Sequence, residues 1–282
     1  MSSGVWFMLG LGAGVLCTLV AVRWRVRRSR AKQQVAEERA RSAERLAEVG
    51  AMTGGLAHEI KNPLSTIGLN AQLLAEAVEE LPGDEPVGPE VKQRLVRRLA
   101  SLRRETERLR GILSDFLAYA GELRLDAKDN DLNAMAQELV DFFQPQAQSQ
   151  GVRLRTDLAP GPLRATFDAA LMKQAVLNLL LNAVQAMPAG PDAAPDSGRP
   201  REVILRTRAS EQGVELHVID TGPGIPPQVL EQMFRPYFTT KSGGSGLGLP
   251  TTRRIIEAHG GRLDVHTSEG NGTDFVVGLP AT

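Results

Sequence analysis

The chain has 282 residues, and its 33 Lys and Arg residues balance its 33 Asp and Glu residues. This length accommodates one or two modest domains with additional segments, and a formal net charge of zero gives no support for direct nucleic-acid binding. The single cysteine, Cys17, excludes an intrachain disulfide and a cysteine-based metal site.

The amino-terminal part has the pattern of a membrane anchor, which we assign to residues 1–22. Residues 5–22 contain no charged side chain and would reach roughly 27 Å as a helix, about the thickness of a bilayer core. Basic residues crowd the stretch 23–32, and because they follow the apolar segment, the pattern favours an uncleaved anchor over a signal peptide. The positive-inside rule then predicts a single-pass protein of the inner (cytoplasmic) membrane, in contact with lipid through this helix, with the remainder of the chain in the cytoplasm.

Two helical regions are predicted next. Residues 23–50 predict a juxtamembrane helix, and residues 51–122 predict a helical hairpin broken by a Pro- and Gly-rich stretch at 82–89. Apolar side chains recur at three- and four-residue steps on both sides of this break, with charged residues on the outer faces. Since one hairpin cannot bury both apolar stripes, we expect two copies to form a four-helix bundle and hence a homodimer.

A polar cluster interrupts the apolar pattern of the first hairpin helix at His58, Glu59, Lys61 and Asn62, and Pro63 follows it. His58 lies opposite the apolar stripe and is expected to point outward. Pro63 cannot donate to the carbonyl of Glu59, so the helix is expected to loosen or bend there. An outward imidazole beside a carboxylate is an accessible nucleophile with its own proton acceptor. The alternative for an isolated histidine is a surface residue of an amphipathic helix.

Residues 123–282 predict an α/β sandwich of antiparallel or mixed strands covered by helices on one face, so the fold class of the whole chain is α+β. Helices are predicted over 132–149, 168–187 and 251–259, and strands near 152–158, 163–167, 202–208, 214–219, 262–267 and 273–279. The stretch 188–200, rich in Pro, Gly, Ala and Asp, predicts a flexible loop.

Two carboxamides, Asn178 and Asn182, lie four residues apart on an otherwise apolar helix and therefore on the same side of it. Buried amides need partners, and two stacked ones indicate a shared polar ligand. Neutral oxygen ligands of this kind suit Mg²⁺, which takes further ligands from water and phosphate. A pair of helix-capping or packing asparagines is the alternative.

Asp220 ends a predicted strand and is followed by Gly222 and Gly224. A carboxylate there can accept a hydrogen bond from an exocyclic amine while the glycine backbone approaches a flat ring. The same string also fits an ordinary strand-to-loop turn, which Asp, Gly and Pro commonly mark.

An aromatic cluster at 234–238 leads into Thr239, Thr240 and Lys241 and then into a run of glycines that opens a helix. The glycines that could present backbone N–H groups to phosphate oxygens at this helix start are Gly244, Gly246 and Gly248. Lys241 could pair with a terminal phosphate as a point charge. A glycine-rich linker would explain the glycines, but not the position of Lys241 or the abrupt apolar helix.

Taken in order, these motifs resemble those of the bacterial two-component sensor histidine kinases over about residues 46–279. The resemblance is carried by five stretches that match the H, N, G1, F and G2 boxes of that family: 58–64, 178–182, 220–224, 234–238 and 244–249. The short segment containing Thr239, Thr240 and Lys241 is similar to the nitrogen-regulation branch. The resemblance implies a HisKA-type dimerisation and histidine-phosphotransfer domain at 51–122 and a Bergerat-type ATP-binding domain at 123–282.

The resemblance also implies a role for each group. His58 would take the γ-phosphoryl group of ATP, Glu59 would act as its base or orienting acceptor, and Asn62 would position water for dephosphorylation of the partner. Asp220 would contact the adenine amine, and Asn182 with Asn178 would hold Mg²⁺. The phosphoryl group would then pass to an aspartate of a response regulator.

Two alternatives belong to other functional classes. The first is a dimeric regulatory scaffold that binds ATP without transferring phosphate. The features that argue against it are the intact His58, Glu59, Asn182, Asp220 and glycine run. The second is another Bergerat-fold ATPase, of the chaperone or topoisomerase type, and such proteins lack a phosphoacceptor histidine on a dimeric hairpin.

Overall fold

A computed structural model describes residues 50, 54–81, 88–187, 200–241 and 244–281 of the chain, and Gly55–Thr282 form one compact unit. The predicted anchor at 1–22 and, apart from Gly50, the predicted juxtamembrane helix at 23–50 lie outside the described residues. Of the helices within the described ranges, none combines the length and the apolar character needed to cross a bilayer.

Two long helices form the amino-terminal part of this unit. The first, α1, is helical over 54–79, and the second, α2, spans Pro89–Ala120. The helix α1 continues through Pro63, which is buried, and the hydroxyl groups of Ser65 and Thr66 donate back to carbonyl oxygens one turn earlier. The helix therefore does not end at the proline, although residue 63 has no N–H to donate to the carbonyl of Glu59.

An apolar face of this helix pair remains open to solvent. Seven large apolar side chains are 50–60% exposed: Leu64, Leu69, Val78, Val96, Leu99, Leu113 and Leu117. In α2 only Ile112 and Tyr119 are buried. A single chain thus leaves uncovered much of the apolar surface that the heptad pattern predicted to face a second copy.

The carboxy-terminal part is an α/β sandwich. Its elements, in chain order, are β1 (Lys128–Asp131), α3 (Leu132–Ser149), β2 (Arg153–Asp157), β3 (Arg164–Phe167), α4 (Ala169–Ala186), β4 (Glu202–Ser210), β5 (Gly213–Asp220), α5 (Pro227–Leu230), α6 (Gly248–Ala258), β6 (Arg262–Thr267) and β7 (Thr273–Pro280). Five strands make one mixed sheet in the order β2-β4-β5-β7-β6, in which only the β2–β4 pair is parallel. The remaining strands, β1 and β3, pair antiparallel in a separate two-stranded sheet.

The core lies between one face of the five-stranded sheet and the helices α3, α4 and α6. Alternation in β5 shows how the sequence builds it, because Val214, Leu216 and Val218 are buried while the intervening side chains are half exposed. The predicted sandwich with helices on one face is confirmed in this part of the chain. The strand β1 was not predicted, since its sequence Lys-Asp-Asn-Asp is wholly polar.

Two histidines have partners that the sequence did not indicate. The Nδ1 atom of His217 lies 3.0 Å from a carboxylate oxygen of Asp274 on the neighbouring strand. His259 caps the end of α6. Its Nε2 accepts a hydrogen bond of 2.9 Å from the backbone N–H of Asp168, which in turn caps α4. This bond ties the end of α6 to the beginning of α4.

Candidate active site

A cavity of about 650 Å³ opens between α4, the segment that follows β5 and the glycine-rich segment that precedes α6. Its volume is in the range of pockets that hold small organic ligands. Nine of the ten residues predicted to bind nucleotide line this cavity: Asn178, Asn182, Asp220, Gly224, Thr240, Lys241, Gly244, Gly246 and Gly248. The tenth, Gly222, lies next to it and contacts Asp220.

Asp220 supplies a buried carboxyl group to the cavity. The residue is 4% exposed at the end of β5, and this burial raises the pKa of its carboxyl group to about 6. The backbone N–H of Gly222 donates to one carboxyl oxygen at 2.8 Å. Gly224 has φ +77°, and a Cβ there would lie 2.2 Å from the carbonyl oxygen of Ser268, so only glycine fits this close approach. A carboxyl group held in this way can recognise an amine donor on a ring that lies against the glycine backbone.

The two asparagines of α4 also line the cavity and already have protein partners. Asn178 donates weakly to the carbonyl of Gly248 at 3.4 Å. The side-chain oxygen of Asn182 accepts from the ammonium group of Lys241 at 2.8 Å, and Gln185 accepts from the same ammonium at 2.9 Å. Burial lowers the pKa of Lys241, while the charge of Asp220 acts in the opposite direction. Lys241, which was predicted to pair with phosphate, is thus hydrogen-bonded to the amide oxygen of Asn182, which was predicted to bind Mg²⁺.

The glycine-rich segment is shaped by close backbone approaches. Gly246 has φ +64°, and a Cβ there would lie 2.5 Å from the carbonyl carbon of Tyr237. The backbone N–H of Tyr237 donates to the carbonyl of Gly246 at 3.2 Å. By contrast, a Cβ at Gly248, the first residue of α6, would meet nothing within 4 Å. Thr240 is exposed at the rim of the cavity.

The predicted catalytic residues lie on α1 and do not line the cavity. His58 and Asn62 are exposed one helical turn apart, in agreement with the predicted outward direction of His58. Glu59 is half-buried, and this burial raises the pKa of its carboxyl group. Arg108 and His58 lower that pKa and Asp115 raises it, so the beginning of α1 faces the second half of α2, as an antiparallel hairpin requires.

Three contacts that the sequence did not indicate join the hairpin to the sandwich, and the first of them lies at the cavity. The hydroxyl of Ser245 donates to a carboxylate oxygen of Asp115 on α2 at 2.6 Å, and Asp115 itself lines the cavity. Arg254 of α6 donates to the carbonyl of Gly121 at 2.6 Å, just after α2 ends. The ring of Tyr237 packs against Gly55 on α1. No local pattern marks these residues, because each contact joins elements far apart in the chain.

Two family models match the chain. Residues 48–121 match the His Kinase A (phospho-acceptor) domain, and residues 167–282 match the histidine kinase-, DNA gyrase B- and HSP90-like ATPase. Together they cover both the helix pair that carries His58 and most of the sandwich that contains the cavity.

Individual relatives are consistent with both models. The sensor histidine kinase ZraS of Salmonella typhimurium is 33% identical over 273 residues, which are 96% of this chain and 54% of that protein. The sensor protein FixL of Bradyrhizobium diazoefficiens is 33% identical over 84% of this chain and 44% of its own length. The chain thus spans about half the length of these curated relatives.

Solved structures agree with the fold. The histidine kinase ThkA, crystallised in complex with the response regulator protein TrrA, superposes with a TM-score of 0.63 and 28% identity over 85% of this chain and 64% of that one. The order of the two domains, the relatives and the shared architecture lead to one conclusion: the chain belongs to the bacterial two-component sensor histidine kinases.

Proposed function

We propose that this protein is an ATP-dependent histidine kinase that phosphorylates its own His58 and passes the phosphoryl group to an aspartate of a response regulator. The observation that carries the proposal is the hydrogen bond between Ser245 and Asp115. It sets the rim of the cavity against the helix pair that bears His58, within one chain. Phosphoryl transfer depends mainly on alignment and on neutralisation of charge. The bond serves the alignment, and Lys241 in the cavity would contribute to the neutralisation.

The cavity residues divide into a base-binding end and a phosphate-binding end. Asp220 would accept the adenine amine, with Gly222 and Gly224 allowing the ring to lie close to the backbone. Asn182 and Asn178 would hold Mg²⁺, which, when bound, neutralises phosphate charge. The amide oxygen of Asn182 now accepts a hydrogen bond from Lys241, and Mg²⁺ bound to the same oxygen would be repelled by the ammonium charge. We therefore infer that Lys241 leaves Asn182 and pairs with the phosphates, where Thr240 and the backbone of Gly244, Gly246 and Gly248 add donors.

His58 and Glu59 would perform the chemical step. One ring nitrogen of His58 forms the bond to the γ-phosphorus as the bond from that phosphorus to the ADP oxygen breaks. The proton of the other ring nitrogen goes to Glu59, whose carboxylate is its neighbour on α1. Asn62, one turn later and exposed, would orient water when the phosphorylated partner is dephosphorylated.

The partners and the cellular location of the protein are also part of the proposal. The exposed apolar face of α1 and α2 supports a homodimer built as a four-helix bundle, the arrangement expected of a HisKA hairpin. The relative ThkA forms a complex with a response regulator protein, which supports a partner of that class here. The uncharged segment 5–22 and the basic stretch after it support an anchor in the inner membrane. The branch resemblance to nitrogen-regulation kinases rests on the Thr239–Lys241 segment alone.

Labelling with γ-labelled ATP and Mg²⁺ tests the proposal on the purified full chain. We expect an acid-labile, base-stable label that is absent in His58→Gln. The matched control is His266→Gln, which removes an exposed histidine from strand β6 and should retain the label. A wild-type chain that binds ATP but takes up no label would instead favour the regulatory scaffold.

A second experiment tests the separate roles proposed for His58 and Asn62 on α1. We expect Asn62→Ala to label at the wild-type rate but to dephosphorylate its response regulator more slowly, because Asn62 is exposed one turn away from His58. The readouts are the initial rate of labelling and the decay of the phosphorylated regulator. Equal loss of both activities would contradict this assignment.

A further inference from the structure

Tyr237 has an unusual backbone and an unusual position. Among the described residues it is the only one other than glycine with a positive φ, at 62°. Such a conformation is costly for a bulky residue and persists only where the surrounding structure imposes it. Here it turns the ring towards the first turn of α1, where a Cβ at Gly55 would lie 2.8 Å from the ring carbon Cδ2.

Two polar atoms near this contact are buried and lack hydrogen-bond partners within the described part of the chain: the hydroxyl of Tyr237 and Oε2 of Glu59. Glu59 follows Gly55 by four residues and so lies on the same side of α1. The negative charge of Glu59 contributes, after burial, to raising the pKa of Tyr237, so the two groups are within electrostatic reach. A buried donor and a buried acceptor that both lack partners each cost free energy, and a bond between them would remove both costs.

The charged groups around Glu59 leave one oxygen of its carboxylate without a hydrogen bond in the part of the chain that the structure describes. Arg108 and Asp115 face it from α2, and His58 precedes it on α1. No hydrogen bond within the described residues holds Oε2, so neither neighbour fixes the orientation of the carboxylate through that oxygen. Hydrogen bonds of catalytic groups commonly form or tighten only when substrate is bound, so a donor can reach this oxygen in the nucleotide complex.

We propose that Tyr237 is a positioning residue for Glu59. During autophosphorylation its hydroxyl donates a hydrogen bond to Oε2 of Glu59 and so orients the carboxylate to accept the proton of His58. This inference rests on the proposed function of Glu59 as the base.

The same residue links the base to the nucleotide site. The backbone N–H of Tyr237 donates to the carbonyl of Gly246, and the two backbones approach so closely that only glycine fits at 246. Gly246 lines the cavity and belongs to the segment expected to contact phosphate. A movement of this segment on nucleotide binding therefore moves Tyr237, so that the base is oriented when the phosphates are in place.

Tyr237→Phe tests the role of the hydroxyl, because the ring that packs on Gly55 is retained. We expect kcat for autophosphorylation of the full chain to fall about ten- to hundredfold, the effect of losing a hydrogen bond to a charged group, with KM for ATP unchanged. A hydroxyl that donates to a carboxylate lowers the pKa of that carboxylate, so the acid limb of the pH–rate profile should move to higher pH in the variant. A wild-type rate and profile, or a change confined to KM for ATP, would overturn the inference.

Gly55→Ala tests the position of the ring without altering Tyr237. The added methyl group would overlap the ring and displace it, so kcat should fall as in Tyr237→Phe. The control is Gly54→Ala, since a Cβ at Gly54 meets nothing within 4 Å and the same gain in helix propensity applies. Equal rates in both alanine variants would contradict the proposed packing.

Glu59→Gln separates this inference from the function on which it rests. If Glu59 is the base and Tyr237 acts through it, the double variant Glu59→Gln, Tyr237→Phe should be no slower than Glu59→Gln alone. If Glu59→Gln labels His58 at the wild-type rate, the assignment of the base fails. If Glu59→Gln is slow and Tyr237→Phe is not, only the role of Tyr237 fails.

Discussion

Replacing Asp220 by Asn should stabilise the protein while removing its ability to bind nucleotide. Burial raises the pKa of the Asp220 carboxyl group from 3.8 to about 6, so the folded state holds the proton more tightly than the unfolded state does. The stability contributed by this group is fully present below pH 3.8 and is lost as the pH rises through about 6. At neutral pH the folded protein therefore carries the cost of a buried, ionised carboxylate.

The size of this free-energy cost follows from the shift in the pKa of Asp220. About two pKa units at 1.36 kcal/mol each amount to roughly 3 kcal/mol at pH 7, which falls to about 0.5 kcal/mol near pH 4. Asn cannot ionise, and its side-chain oxygen can accept a hydrogen bond from the N–H of Gly222 as Asp220 does. Its NH2 group cannot accept from the backbone N–H of Thr273, which reduces the gain. Asp220→Asn should thus gain up to roughly 3 kcal/mol at pH 7, which corresponds to about 6–12 °C in melting temperature for a domain of this size.

Thermal unfolding of the wild type and Asp220→Asn without nucleotide, measured at several pH values between 4 and 7, tests this reasoning. The difference in stability should be largest at pH 7 and should shrink towards pH 4. A variant that is less stable than the wild type at pH 7, or a difference that does not change with pH, would refute the assignment of the cost to the buried charge. Titration with ATP should show that the stabilised variant has lost most of its affinity.

Three further predictions concern packing and assembly. Gly246→Ala should lower the stability of the sandwich by roughly 1–3 kcal/mol, because it places a Cβ against the backbone of Tyr237 at a positive φ, whereas Gly248→Ala should have little effect. His259→Leu should destabilise the protein by about 1–3 kcal/mol in urea unfolding, since it leaves a buried backbone N–H unpaired. Leu117→Glu, at an apolar position that is 60% exposed, should shift the chain from dimer to monomer in light scattering.

Each of these has a clear contrary result. Equal stability of the two glycine variants would mean that the close approach is relieved by a local shift. An unchanged urea midpoint in His259→Leu would mean that water reaches the backbone of Asp168 in place of the ring. A dimer that persists in Leu117→Glu, and in the matching Leu113→Glu, would place the interface elsewhere on the chain.

Local patterns predicted most of the elements of the sandwich. Strands in which buried and exposed residues alternate, such as β5, and helices with an apolar face, such as α4, can be recognised from sequence because one side of each must be buried. The strand β1 was missed, since its four polar residues carry no such signal and pair with β3 only in the folded chain. The start of α6 at Gly248, three residues earlier than predicted, was obscured by the glycines that precede it.

The sequence by itself determined which chemical groups are present and in what order: a histidine beside a carboxylate on a helix, two asparagines one turn apart, and an aspartate and a lysine flanked by glycines. Only the tertiary structure decided which of these groups meet. It joins Lys241 to Asn182, sets Asp115 against Ser245, and seats Tyr237 on Gly55 beside Glu59. The physical reason is that desolvation, charge and close packing depend on neighbours brought from distant parts of the chain, and no local pattern encodes those neighbours.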